Sequence, residues 1–272
     1  MTDGALLMDA TRRILERMDR YEASESVANT GTGARREGEG FEHLVAELWV
    51  AFREAAQSNG AALTIVASEG RRRYARLTSD GRSLFVPASH SDEPTCRQLR
   101  WLEVAFGVPT LIDSYPGTGE AISRYAPSAG PFAGTDYPKM YGGLTTRFDD
   151  TVVLVANGVL HEKILLEYKT AKSSRGVQID GNAHERLSFQ IMQYLEVATR
   201  YTRCSFVVIA NGAFARYRNK YHPNFHIQAE RLRNFSWFSM EHTSAATEYF
   251  QFIEGLWSWL FDGTPAQAEA VR

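Results

Sequence analysis

The chain has 272 residues, 44% hydrophobic and 23% charged, an ordinary globular balance with enough apolar mass for a full core. A formal net charge of −2 excludes a protein that meets polyanions with its whole surface, so any nucleic-acid face must be a local patch. Two cysteines, Cys96 and Cys204, lack CxxC spacing and imply a reduced, cytoplasmic setting; residues 1–9 do not read as a signal peptide, and no apolar run reaches the roughly 20 residues of a membrane span.

Residues 5–22 predict an amphipathic helix through Leu6, Leu7, Ile14, Leu15 and Met18. A polar stretch from Ser24 to Gly40 reads as a flexible connector, setting a short N-terminal segment (1–38) apart from one main domain (39–272). A helix follows from about Gly40 to Ser58, with Phe41, Leu44, Val45, Leu48, Trp49 and Phe52 on one stripe. Ala62 to Ala67 has strand length, and Arg71 to Pro87 predicts a hairpin turning at Ser79-Asp80-Gly81. Residues 110–145, rich in Gly, Pro, Ser and Tyr, read as a long loop region.

Phe148 to Val155 predicts a strand, Asn157-Gly158 a tight hairpin turn, and Leu160 to Thr170 the returning strand. His184 to Arg200 reads as a helix, Ser205 to Ala210 as a central strand, and Thr247 to Leu260 as an aromatic-rich helix. This order implies an α/β fold with a mixed central β-sheet flanked by helices.

The chemistry concentrates at Glu167-Tyr168-Lys169. Side chains alternate along a strand, so Glu167 and Lys169 share one face while Ile164, Leu166 and Tyr168 take the other. The hairpin lays a second acid beside them, Asp149 or Asp150. Asp150 is favoured, because Val152 and Leu154 then share its face. Paired carboxylates on neighbouring strands repel unless a cation lies between them, and all-oxygen ligands suit Mg2+. A lysine beside that cation can orient a metal-bound water and offset charge developing on a phosphate.

Asp150, sixteen intervening residues, then Glu167-Tyr168-Lys169 resembles the active-site motif of the PD-(D/E)xK nuclease superfamily, in a similar strand–turn–strand–helix context. The superfamily includes most type II restriction endonucleases. The resemblance implies a restriction-endonuclease-like core, Asp150, Glu167 and Lys169 as catalytic residues, and Asp150, Glu167, Asp149 and Glu42 around Mg2+. Glu42 stands where many members carry a helical glutamate that supports the metal. Gln190, four residues before Tyr194, has a spacing seen in some exonuclease branches. Phe148, rather than proline, precedes the acids.

Residues 170–233 hold ten Lys or Arg against four Asp or Glu, a local basic excess just past the motif. Lys172, Arg175, Arg186, Arg216, Arg218 and Lys220 are candidate phosphate contacts, with Gln190 and Asn219 beside them. Arg71-Arg72-Arg73 forms a second basic cluster. His222 and His226 flank Pro223 and Asn224, and His161-Glu162 lacks a second histidine, so neither makes a zinc site.

The leading expectation is a type II restriction endonuclease acting on double-stranded DNA with Mg2+. It would work as a homodimer joined through the N-terminal helix or the aromatic C-terminal one (Phe250, Phe252, Trp257, Trp259). The alternatives are a repair or defence nuclease that reads DNA structure or ends, and a DNA-binding protein without catalysis.

Overall fold

The computed structural model describes residues 7–14, 16–17, 31–67, 73–89, 91–92, 96–97, 148–157, 159–169, 173–174, 178–179, 189, 191–194, 204–211, 235–240 and 245–263. The chain is an α/β protein with a mixed sheet and helices packed on it. The described helical residues begin within 7–17, followed by helix α1 (Gly31–Ser58) and, near the other end, α2 (Ala245–Phe261). The strands are β1 (Ala62–Ala67), β2 (Arg73–Ser79), β3 (Arg82–Pro87), β4 (Cys96–Arg97), β5 (Asp150–Ala156), β6 (Val159–Lys169), β7 (Ser173–Ser174), β8 (Gln178–Ile179), β9 (Cys204–Asn211) and β10 (Phe235–Met240).

Helix α1 starts at Gly31, inside the stretch predicted as a connector. Ala34, Arg35, Arg36, Glu37 and Glu39 are all good helix formers, and they outweigh the interspersed glycines. Its buried stripe runs through Phe41, Leu44, Val45, Leu48, Trp49, Phe52 and Ala56. It ends in a Schellman motif: the Ala61 N–H reaches the Ala56 carbonyl at 3.0 Å and the Gly60 N–H reaches Gln57 at 2.9 Å, with Gly60 at φ 93°.

The principal sheet has the order β10-β9-β6-β5-β3-β2-β1-β4, with β7 and β8 forming a separate pair. Strands β1, β2, β3, β5 and β6 pair antiparallel, whereas β6–β9, β9–β10 and β1–β4 pair parallel. Asp80 (φ 44°) and Gly81 (φ 76°) make a two-residue turn with both angles positive, which matches the twist of the β2–β3 hairpin. Helical residues at 189 and 191–194 lie in the crossover from β6 to the parallel β9.

One face of the sheet presents Leu77, Leu84, Val152, Leu154, Leu166 and Ile209 to α1 and α2. The opposite face holds Val66, Tyr74, Phe85, Val153 and Val155, extended by Phe206, which meets Phe148 edge-on and Tyr194 at a tilt. Both helices expected to offer an interface are packed on the first face: Leu7 and Ile14 from the first, and Ile253, Leu256, Trp259 and Leu260 from the last. Arg82 then anchors α2, donating to the carbonyls of Leu260 at 3.0 Å and Phe261 at 2.9 Å. No helix of the described residues is long and apolar enough to cross a membrane.

Candidate functional site

The β5–β6 hairpin decides which acid meets Glu167. Next to the turn, Ala156 pairs with Val159 and Val155 with Leu160; beyond it, Leu154 pairs with Glu162 and Asp150 with Leu166. His161 is therefore the extra residue of a β-bulge. A one-residue slip in a strand pair moves every later side chain to the other face of its partner. In a bulge-free hairpin Asp150 would oppose Leu165 and share the face of Glu167. With the bulge, Asp150 opposes Leu166, the last pair of the ladder, and Asp149, one residue before β5, comes level with Glu167. The alternation that joins Asp150 to Val152 and Leu154 holds, but that face is the one packed on α1, not the face of Glu167 and Lys169.

The contacts agree with the register. The Asp149 backbone N–H donates to the Glu167 carboxylate, while the Asp149 charge repels it. Lys169 Nζ forms an ion pair with Glu167 Oε1. Asp149 Oδ2 accepts the Tyr168 backbone N–H at 2.7 Å. Glu167 is 7% exposed. Burial pushes its carboxyl up, repulsion from Asp149 pushes it further, and Lys169 only partly offsets both, leaving it at about 7.

On the other face, a cavity of about 320 Å³ opens between α1, the end of β3 and the start of β5. Glu42, Trp49, Arg53, Asp149, Asp150 and Tyr168 are among the residues that line it; Glu167 and Lys169 are not. Asp149 thus stands at a corner, bordering the cavity while its charge acts on Glu167 and its carboxylate holds the Tyr168 backbone N–H. Arg53 reaches Asp92 at 2.7 Å. Burial pushes the Asp92 carboxyl up, but its bond and charge pairing with Arg53 hold it below the usual range.

Glu42 is an exposed residue of α1 and reaches the same cavity as Asp149 and Asp150. The candidate DNA contacts Lys172, Arg175, Arg186, Gln190, Arg216, Arg218, Asn219 and Lys220 lie outside the described residues. Of the second basic cluster Arg73 alone is described, and its guanidinium donates to the Asp92 carbonyl.

Sequence reasoning misses two residues. It places Tyr168 only as the opposite-face neighbour of the motif, and Trp49 only as helix core. Trp49 Nε1 donates to Tyr168 Oη at 3.3 Å, and Tyr168 Oη donates to Asp150 Oδ2 at 2.7 Å. A buried indole and phenol each need a polar partner, which is the signal that could have linked them.

Among the described residues no group of three or more His, Cys, Asp or Glu is arranged to hold a metal ion. The donors present are two carboxylates, Asp149 just before β5 and Glu167 on the adjoining β6. This is the kind of set Mg2+ takes when waters and a phosphate oxygen complete its shell, so the donor chemistry fits that ion. No family model matches the chain, and no curated protein or solved structure matches it either.

Proposed function

We propose that the chain is a Mg2+-dependent endonuclease that hydrolyses phosphodiester bonds of double-stranded DNA at a short specific sequence. One observation carries the reading: Asp149, just before β5, donates its backbone N–H to the Glu167 carboxylate of β6 and repels its charge, with the Lys169 ammonium paired to Glu167. A buried carboxylate whose ionisation a neighbouring acid opposes is a poor core element but a good cation ligand. The order of α1, antiparallel strands, acid-bearing hairpin, helical residues and parallel β9 supports a restriction-endonuclease-like core.

Asp149 and Glu167 would hold Mg2+, with Glu42 bordering the same cavity as Asp149. When bound, the ion supplies charge for a phosphoryl oxygen and acidifies a water. Lys169 places its ammonium beside Glu167, where it offsets negative charge gathering on the phosphate and orients the attacking water. The basic stretch 170–233 supplies phosphate contacts, and a twofold homodimer would match a palindromic site.

Incubation with Mg2+ and a long duplex DNA of known sequence tests the reading. Discrete bands are the expected result. Smearing or end-dependent digestion selects a repair or defence nuclease, and retention of DNA without cleavage selects a binding protein.

A further inference from the structure

Tyr168 holds the two neighbouring aspartates by different groups. Its backbone N–H donates to Asp149 Oδ2 and its phenol donates to Asp150 Oδ2, both at 2.7 Å. The phenol oxygen also accepts from Trp49 Nε1, which ties this point of the sheet to α1. Asp149 itself precedes the first ladder residue of β5, so strand pairing alone does not fix where its carboxylate points. Its two chain neighbours are anchored in opposite directions. Phe148 is buried against Phe206 on the Glu167 face, and Asp150 is bound to the phenol on the α1 face.

We propose that Tyr168 and Asp150 are positioning residues: together they lock the start of β5 so that Asp149, and not Asp150, is the carboxylate presented with Glu167 to a divalent cation. This rests on the nuclease reading and assigns roles within it. A neutral side chain that keeps an acceptor oxygen at position 150 can still receive the phenol's hydrogen bond, whereas a cation ligand at 149 needs the charge. Partners that orient a metal ligand typically change affinity about 10–100-fold when removed.

The test is Mn2+ binding to the full chain without DNA, followed by electron paramagnetic resonance, together with the Mn2+ concentration that half-saturates DNA cleavage. The variants are Tyr168→Phe, Asp150→Ala, their double, Asp150→Asn and Asp149→Asn. Tyr168→Phe and Asp150→Ala should each weaken Mn2+ binding about 10–100-fold. The double should be no weaker than the worse single, because both remove the same bond. Asp150→Asn should bind close to the parent, and Asp149→Asn should lose binding. The half-saturating Mn2+ concentration should follow the same order.

Loss of binding in Asp150→Asn as complete as in Asp149→Asn would make Asp150 a ligand and overturn the proposal. So would additive effects in the double, or an unchanged Tyr168→Phe. If Tyr168→Phe fails to fold, the contrast between Asp149→Asn and Asp150→Asn decides alone. A parent that binds no Mn2+ and cuts no DNA overturns the nuclease reading and this assignment with it. A parent that does both, with variants in the wrong order, overturns the assignment only.

Discussion

Glu167 and Lys169 share a strand face and an ion pair, but removing either should have a different effect. Lys169→Ala leaves both carboxylates, so cation binding should persist while hydrolysis falls roughly 10²–10³-fold, the usual cost of one preorganised charge at a developing oxyanion. Isothermal titration with Mg2+ and a cleavage time course on the same preparation check this; cleavage near the parent rate would make Lys169 a bystander. Glu167 carries the pH dependence. Its carboxyl sits at about 7 in the metal-free protein against 4.5 ordinarily. The folded chain therefore holds this proton more tightly than the unfolded chain. The stabilisation is complete below about pH 4.5 and is lost as pH rises through about 7. Urea midpoints of the metal-free protein should fall across that window from this group, and Glu167→Gln should flatten that fall. Since cation and proton compete for the carboxylate, apparent Mg2+ affinity should climb with pH up to about 7 and then level off.

Elements were legible where a local rule governed them. The stripe from Phe41 to Phe52 specified α1, and Asp80-Gly81 specified the β2–β3 turn through its two positive φ angles. The start of α1 was hidden because glycines at 31, 33, 38 and 40 look like linker composition, although Arg and Glu between them favour helix. The bulge at His161 was hidden for a deeper reason. Nothing in its own residue type demands it; it reconciles a two-residue turn with a register fixed farther along, where Ile164, Leu166 and Tyr168 must pack on α1. The hairpin was therefore readable while which aspartate comes level with Glu167 was not, because that depends on the odd or even count of residues around the turn. At the other end of α1, Gly60 has open space where a Cβ would stand but a positive φ, so Gly60→Ala should cost only the conformational penalty. That penalty is about 1–2 kcal/mol, measurable as a lower urea midpoint with an unchanged slope.

For the molecule as a whole, the sheet forms one platform with buried apolar residues on both faces, and the acids collect at the end where β5 begins and β6 ends. With a net charge of −2, the proposed DNA binding calls for a local basic patch, the 170–233 stretch first. Affinity should therefore fall steeply as salt rises, each neutralised phosphate adding about 0.9 to the logarithmic slope. Arg216→Ala or Arg218→Ala should weaken binding without unfolding the chain, as read by filter binding beside a melting curve. Unchanged affinity in both would move the DNA surface toward Arg71 to Arg73. The bulge has one more consequence, for tolerance to changes in chain length. An extra residue already looped out of the ladder is one the hairpin can lose. Deleting His161 would let Leu160 run directly into Glu162, keeping Leu154 against Glu162 and Asp149 against Glu167, at the cost of the ring contact to Trp259. That deletion should give a folded protein that still binds Mn2+, whereas deleting a single residue between Glu162 and Glu167 would leave Lys169 and Glu167 on the wrong side of the sheet.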